Sequence, residues 1–338
     1  MELPIKVALL GCGNMAHGHA LWWNALPEAR VVALCDPDVA NRERLHREKL
    51  GSNAAVRRYE SYDQLLKDPP EGLRVIDIIT PHTLHCAQAL AAMDHGYDVL
   101  CEKPMVTSSA DARRIAEKVA KTGRQFQVAF QAPFTQEFAY IRAQIEAGAL
   151  GELQTITALS CQAWRHFTHG APNWRQDPTL SGGGQMYDTG AHLFNAITWL
   201  IDRPAVEVFC WTDPKGTPVD INAAVTIKWE GGVLGSVTIS GNTPGWQEGI
   251  WLAGDKGRIG TGIHGGRIEQ FDAQGQYVKY PQVTQANYTP PANFVECLLG
   301  RATPRCPVRY GVLHSWLMDG LYQSAAEGRP VKLAKAPV

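Results

Sequence analysis

The sequence predicts an α/β chain in two parts: a parallel sheet built from βαβ units over 1–130, then an α/β domain with a large, mostly antiparallel open sheet over 131–338. Three observations predict it. Short apolar runs alternate with helical patterns in the first part, and long segments of alternating polarity divided by Gly and Pro fill most of the second. At 338 residues the chain is long enough for two domains, and no repeat, low-complexity tract or Ser/Gly linker interrupts it.

In the first part the candidate strands are 5–10, 31–35, 75–79, 98–101 and 125–130. Between the last two, 108–121 carries Ala112, Ile115, Ala116, Val119 and Ala120 at helical spacing, which makes it a crossover helix. After 130, a helix over 136–147 is stopped by Gly148. Strand-like segments then follow near 153–163, 205–213, 219–229, 232–241, 246–254 and 257–271. In 219–229 the odd positions Val219, Ile221, Ala223, Val225, Ile227 and Trp229 are apolar, whereas Asp220, Asn222, Thr226 and Lys228 stand between them. One face of the sheet is therefore built to be covered, and the other either meets water or meets another subunit's sheet. A final helix over 308–327 ends at Gly328, with Pro330 beyond.

Lys plus Arg number 32 against 33 Asp plus Glu, a balance that offers no electrostatic footprint for nucleic acid or an anionic membrane. Small-molecule partners fit it better. The start, Met1-Glu2-Leu3-Pro4, puts an acid where an export signal wants positive charge. No uninterrupted run of about 18 apolar residues, the length a membrane span needs, appears. The eight cysteines form no CxxC pair or zinc spacing, so reduced, mostly buried thiols and a cytoplasmic location are expected.

Directly after the first strand comes Gly11-Cys12-Gly13-Asn14-Met15-Ala16, and the second strand ends in Asp36. A Gly-rich turn alone is common. Between a strand and a helix, with an acid closing the next strand, it predicts a Rossmann dinucleotide site. Gly11 permits the tight turn, the backbone of Gly13, Asn14 and Met15 faces the pyrophosphate, and Asp36 accepts from the adenosine ribose hydroxyls. That carboxylate repels a 2′-phosphate, so NAD is expected in preference to NADP, with Arg42 the nearby cation able to oppose this.

Two further segments carry chemistry. Glu102-Lys103-Pro104 stands at the end of the fourth strand, where open α/β sheets place ligands. Ser181-Gly182-Gly183-Gly184-Gln185-Met186-Tyr187-Asp188-Thr189-Gly190-Ala191-His192 leads into an apolar helical run. Its three glycines allow backbone to pass close to a bound molecule, and on a helix Asp188 and His192 share one face. The plainer readings are a solvated lysine and an N-capping aspartate. Trp164-Arg165 and Trp174-Arg175 lie in the connection before this loop, where aromatic faces beside cations suit a sugar ring or an acidic group, although packing explains most tryptophans. The pairs His17/His19, His82/His85 and His166/His169 lack both a carboxylate pattern and helical i,i+4 spacing, so no metal is expected, and His19 and His85 are read as packing or hydrogen-bonding near the cofactor.

With these motifs the chain resembles, along nearly its whole length, the glucose-fructose oxidoreductase / inositol dehydrogenase / rhizopine-catabolism (Gfo/Idh/MocA) family. The carriers are the Gly11-x-Gly13-x-x-Ala16 turn with His19, Thr80-Pro81-His82-Thr83-Leu84-His85, Glu102-Lys103-Pro104, Asp188-x-Gly190-x-His192 and Ser324-Ala325-x-x-Gly328-x-x-Val331. The resemblance implies a homodimer or homotetramer formed through the open sheet. It implies catalysis by Lys103, Asp188 and His192, with His192 as general base, Lys103 stabilising charge on the reacting oxygen and Asp188 orienting substrate or His192. Beside the Gly turn and Asp36, cofactor contacts are expected at Thr80, His82, His85, Glu102, Lys103 and Gln131. Substrate contacts are expected at Lys103, Trp164, Arg165, Trp174, Asp188 and His192.

The expected activity is NAD-dependent oxidation of a hydroxyl on a sugar, sugar derivative or cyclitol. A redox-neutral NAD-dependent glycosidase and a non-catalytic NAD-binding sensor are the alternatives. His82 where the family commonly has Asn, Asn195 where Asp is common, and Gln131-Ala132-Pro133-Phe134 without the frequent Arg depart from the pattern and bear on substrate identity.

Overall fold

The structure, a computed structural model, describes residues 3–51, 55–168, 173–261, 267–280 and 288–336. The chain divides into two compact units: Met1–Val106 with Ala110–Ala129 and Thr289–Arg309, and Thr107–Ser109 with Phe130–Tyr288 and Tyr310–Val338.

In the first unit β1 (Ile5–Leu10), β2 (Ala29–Cys35), β3 (Arg57–Tyr59), β4 (Leu73–Ile78), β5 (Asp98–Cys101) and β6 (Phe126–Val128) form one sheet in the order β3-β2-β1-β4-β5-β6. Every neighbouring pair is parallel. The inner strands are buried almost without interruption, as a sheet covered on both faces requires. The short edge strand β3 has no apolar run to announce it, because Arg57 and Arg58 are exposed and only Tyr59 is buried.

The helix Asn14–Asn24 buries Ala16, His19, Ala20 and Trp23 on one face. Trp23 meets Phe294 edge-on at 6.5 Å. Phe294 belongs to the helix Pro290–Leu298, whose start is set by Thr289 accepting from the Ala292 N–H and by prolines in the first turn. The alternation of strands and helices does not announce this late return of the chain to the first unit. The strand order reverses between β1 and β4, which makes the carboxyl ends of β1, β4 and β5 the place for a ligand.

The second unit holds β7 (Leu153–Gln162), β8 (Ala205–Asp213), β9 (Asn222–Trp229), β10 (Leu234–Ser240), β11 (Trp246–Gly254), β12 (Gly257–Thr261), β13 (Glu269–Phe271), β14 (Tyr277–Val278) and β15 (Val331–Lys332). Their order is β14-β13-β12-β11-β7-β10-β9-β8-β15, antiparallel throughout except for the parallel pair β7/β10. The expected segment 257–271 is two strands, with 262–266 outside the described residues. The segment expected to begin at 219 becomes strand at Asn222, while Val219 and Ile221 pack with Trp164 in a small separate cluster.

Alternation in the sheet is clearest in β9 and β10. In β9, Ala223, Val225, Ile227 and Trp229 are buried while Ala224, Thr226 and Lys228 are exposed. The helix Gly190–Ile201, itself almost wholly buried, packs against β7. The other face shows Thr157, Thr226 and Ser236 beside Trp251, and the sheet also leaves Trp246 and Trp211 more than half exposed, at 58% and 61%. The final helix runs Val308–Glu327 and stops at Gly328 with φ +66°.

All eight cysteines are free thiols, most of them buried. Among the described residues, no helix is long and apolar enough to cross a membrane.

Candidate functional site

The Gly turn is shaped by close packing. Gly11 has φ +96°, and a Cβ there would lie 2.5 Å from the Ile79 carbonyl oxygen, so no other residue fits. At Gly13 a Cβ would meet nothing within 4 Å, which leaves open space beside the start of the helix Asn14–Asn24. That helix begins with no side-chain cap and no acid in its first turn, so its positive end is available to an anion.

Asp36 Oδ2 accepts the Cys12 N–H at 2.7 Å and Oδ1 accepts the Asp38 N–H at 2.8 Å. The acid therefore ties the end of β2 to the turn after β1. Arg42 donates to the Asp36 carbonyl, and Arg44 donates to Asn14 Oδ1 at 3.1 Å. Met15 lies exposed in the first turn of the helix. An uncapped helix start, open space at Gly13 and a half-buried carboxylate at the next strand end fit the pyrophosphate and ribose of a dinucleotide.

The ends of β4 and β5 are built from buried polar groups. The His85 ring lies between two carbonyl oxygens, with Nδ1 at 2.9 Å from that of Pro104 and Nε2 at 2.8 Å from that of Thr80. Burial, opposed by these carbonyls, holds the His85 pKa below the ordinary histidine range. Thr80 Oγ1 donates to Gln88 Oε1 at 2.6 Å, and the buried His82 ring meets His85 edge-on at 5.9 Å. Glu102 and Lys103 are both buried, and Glu102 Oε2 accepts the Lys103 peptide N–H at 3.0 Å. The Lys103–Pro104 peptide is cis.

In the second unit Asp188 is the centre of a cluster. Its Oδ2 accepts from Trp164 Nε1 at 2.8 Å and from Arg175 Nε at 2.9 Å. The Arg175 guanidinium stacks on the Trp174 ring at 4.5 Å. Trp164, Trp174 and Asp188 are thus brought together, and the cation that joins them is Arg175. Arg165, expected among the substrate contacts, bonds through its backbone N–H to the Gly241 carbonyl at 2.8 Å.

Asp188 is not an N-cap and does not share a helix face with His192. The helix begins at Gly190, and the Asp188 N–H bonds the Gly184 carbonyl in the turn before it. His192 is half-buried in the first helical turn, with Asn195 fully buried one turn on. Gln131 is half-buried at the opening of a short 3₁₀ turn, Ala132–Phe134.

Close packing against protein explains the three glycines. A Cβ on Gly182 would strike Thr107, on Gly183 the Tyr322 hydroxyl and the Tyr187 ring, and on Gly184 the Asp220 backbone. The loop is pressed against protein on each of these sides. Asp220, nearly wholly buried, organises it: Oδ1 accepts the Gly184 N–H at 2.8 Å and the Tyr322 hydroxyl at 2.5 Å, and Oδ2 accepts the Met186 N–H at 2.9 Å. Burial raises the Asp220 pKa against the pull of these three donors. Tyr187 stacks on Tyr322 at 5.3 Å.

Asp220, Tyr322 and Asp77 are the hydrogen-bonded polar residues that motif reading passes over, and Arg175 is singled out there only beside Trp174. Asp77 had a signal, as an acid inside an otherwise apolar strand, and Asp220 likewise falls among apolar neighbours. His169 of the His166/His169 pair lies outside the described residues, and among the described residues no His/Cys/Asp/Glu group could hold a metal ion.

Residues 5–130 match the oxidoreductase family NAD-binding Rossmann fold, and residues 138–260 match the GFO/IDH/MocA C-terminal domain. D-glucoside 3-dehydrogenase of Escherichia coli (strain K12) is 30% identical over 207 residues, covering 60% of this chain and 56% of its own length. The chain thus spans a little over half of that relative. Levoglucosan dehydrogenase of Pseudarthrobacter phenanthrenivorans is 27% identical over 282 residues, covering 71% of this chain and 68% of its own. The solved structure of a levoglucosan dehydrogenase in complex with NADH superposes with a TM-score of 0.85 at 20% identity, covering 98% of this chain and 99% of that one, and this likeness shows the fold. The chain belongs to the Gfo/Idh/MocA family of oxidoreductases, and its first unit is that family's NAD-binding Rossmann fold.

Proposed function

We propose that the chain is an NAD-dependent dehydrogenase that oxidises a hydroxyl of a sugar, sugar derivative or cyclitol. The observation that carries this reading is the Asp188 cluster. A carboxylate held by Trp164 and Arg175, with an indole face beneath the arginine, stands immediately ahead of His192 in a chain whose other unit is an NAD cradle. Names of relatives that act on glucosides and levoglucosan support the same substrate class.

Bound NAD supplies the hydride acceptor. His192 takes the proton of the reacting hydroxyl, and its protonated form returns it when the reaction runs toward reduction. Lys103 donates a hydrogen bond to the reacting oxygen and stabilises the negative charge that develops there. Asp188, already held by two donors on one oxygen, orients substrate or His192 through the other. The Trp174 ring offers an apolar face to the C–H side of a sugar.

Near-ultraviolet absorbance of NADH across a panel of sugars, inositols and glycosides, with product analysis, tests the reading. NADH formation with a polyol supports it, and release of free sugar from glycosides without net NADH overturns it in favour of a glycosidase.

Cofactor choice follows from Asp36. Its carboxylate faces the ribose end of the turn, while Arg42 is tied to the Asp36 carbonyl, so kcat/KM is expected to be higher with NAD than with NADP. A lower KM and higher turnover with NADP would contradict this.

The open sheet face carries the oligomer part of the proposal. Trp251 lies over Gly249 and Gly260 and remains 45% exposed, with Leu234 also exposed on the same sheet. A second copy of this chain covers this face. Trp251→Glu is expected to move the sedimenting species from dimer or tetramer toward monomer, and a wild-type chain that sediments as a monomer refutes the interface.

A further inference from the structure

The helix that opens on the Gly turn carries a histidine whose ring is wholly buried between two acids. His19 Nδ1 lies 2.8 Å from Asp77 Oδ2, and Nε2 lies 2.9 Å from Glu102 Oε1. Trp23 Nε1, one turn along the same helix, donates to the same Asp77 oxygen at 2.7 Å. Glu102 in turn accepts the Lys103 peptide N–H through its second oxygen at 3.0 Å. One continuous set of hydrogen bonds therefore runs from the helix Asn14–Asn24, past β4, to the peptide that carries Lys103.

Ionised carboxylates only accept, so a ring bonded to one on each nitrogen donates twice and is an imidazolium. The groups facing it are Asp77 from β4, Glu102 beyond the end of β5 and, from its own helix, the Trp22 ring at 5.1 Å and the Trp23 indole, while the Cys101 thiol feels the charge of both acids. The thiol stays neutral, pushed far up by burial and then by both acids. Burial opposes charge on His19, but the charge and hydrogen bond of Asp77, then those of Glu102, outweigh it and push His19 up to about 10. Burial likewise works against Glu102, while His19 and Lys103 hold its carboxyl below the usual carboxylate range.

We propose that His19 is a positioning residue for Lys103: its two charge-assisted hydrogen bonds tie Glu102, and through it the Lys103 peptide, to the helix that begins at the NAD turn. The proposal rests on Lys103 acting at the reacting oxygen, as argued above. Without the imidazolium, Asp77 and Glu102 are left as two buried like charges around one gap, and Glu102 must take up a proton or leave its place. Either response disturbs the acceptor of the Lys103 N–H, and small displacements of a catalytic group lower turnover more than they change affinity.

The charge also has a stability signature. The folded pKa lies above the ordinary histidine value of 6.5, so the stabilisation is complete below about pH 6.5 and is lost progressively as pH rises through about 10.

The test uses the full-length protein with NAD, labelled with ¹⁵N at histidine. One ring protonated on both nitrogens is expected at pH 8, where an ordinary histidine is neutral, and its signal disappears in His19→Asn. A neutral His19 ring at pH 8 overturns the proposal, and this readout needs no turnover. In kinetics, His19→Asn and Glu102→Gln are each expected to lower kcat by about 10- to 100-fold with KM little changed. The double variant is expected to be no worse than the poorer single one, because both act along one path.

Multiplying effects in the double variant, or wild-type kcat in a folded His19→Asn, overturn the positioning role. If His19→Asn fails to fold, the wild-type ¹⁵N spectrum and Glu102→Gln still decide. Lys103→Met separates the two ideas. Normal turnover there removes the catalytic reading, whereas lost turnover there with normal turnover in His19→Asn removes this proposal alone.

Discussion

Lys103→Met and His192→Ala are each expected to lower turnover by about 10²-fold or more, with kcat falling together with kcat/KM. The two changes remove different services. Methionine keeps the length and apolar stem of the buried Lys103 but takes away the charge proposed to stabilise the reacting oxygen. Alanine at His192 removes the proposed proton acceptor from the first turn of the helix Gly190–Ile201 while leaving an excellent helix former in place. Steady-state kinetics beside circular dichroism and thermal unfolding provide the check. Wild-type rates in both variants would discard the assignment of these residues to the chemistry.

Asp220→Ala acts on the loop that leads to Asp188. It strands the buried N–H groups of Gly184 and Met186 and the Tyr322 hydroxyl, all of which now end on one carboxylate. Leaving such donors without an acceptor costs about 3 kcal/mol. For a chain of 338 residues that lowers Tm by roughly 4 °C. Because the loop leads directly to Asp188, whose N–H bonds the Gly184 carbonyl, turnover falls as well in the fraction that remains folded. Asp220→Asn, which keeps the shape and one acceptor oxygen, is expected to lie between the two. Scanning calorimetry with kinetics on the same samples measures both effects, and an unchanged Tm for Asp220→Ala would show that the loop is shaped by other contacts.

Local patterns made much of the fold legible. The apolar runs that became β1, β2, β4, β5 and β6 are short and buried on both faces, and the strands of the second sheet alternate, so periodicity alone points to them. The final helix was readable to the residue because Gly328 and Pro330 punctuate it. The misses have physical causes. β3 is three residues of edge strand with two exposed arginines, and the helix Pro290–Leu298 follows a long β region without the strand neighbours that would announce it.

The candidate site divides in the same way. By itself, the order of residues determined the Gly11–Ala16 turn with its acid at Asp36, the Glu102-Lys103-Pro104 strand end and the Asp188/His192 loop, since turn chemistry and strand ends are properties of neighbouring residues. Only the tertiary structure decided that Asp77 and Glu102 clasp His19, that Arg175 reaches Asp188, and that the glycine triplet is pressed against Thr107, Tyr322 and Asp220. Most of these pairings join residues far apart in the chain, and even Arg175 and Asp188 stand in different elements. A buried charge is satisfied by whichever donor the packing of strands and helices brings within hydrogen-bond reach, and no local pattern carries that information.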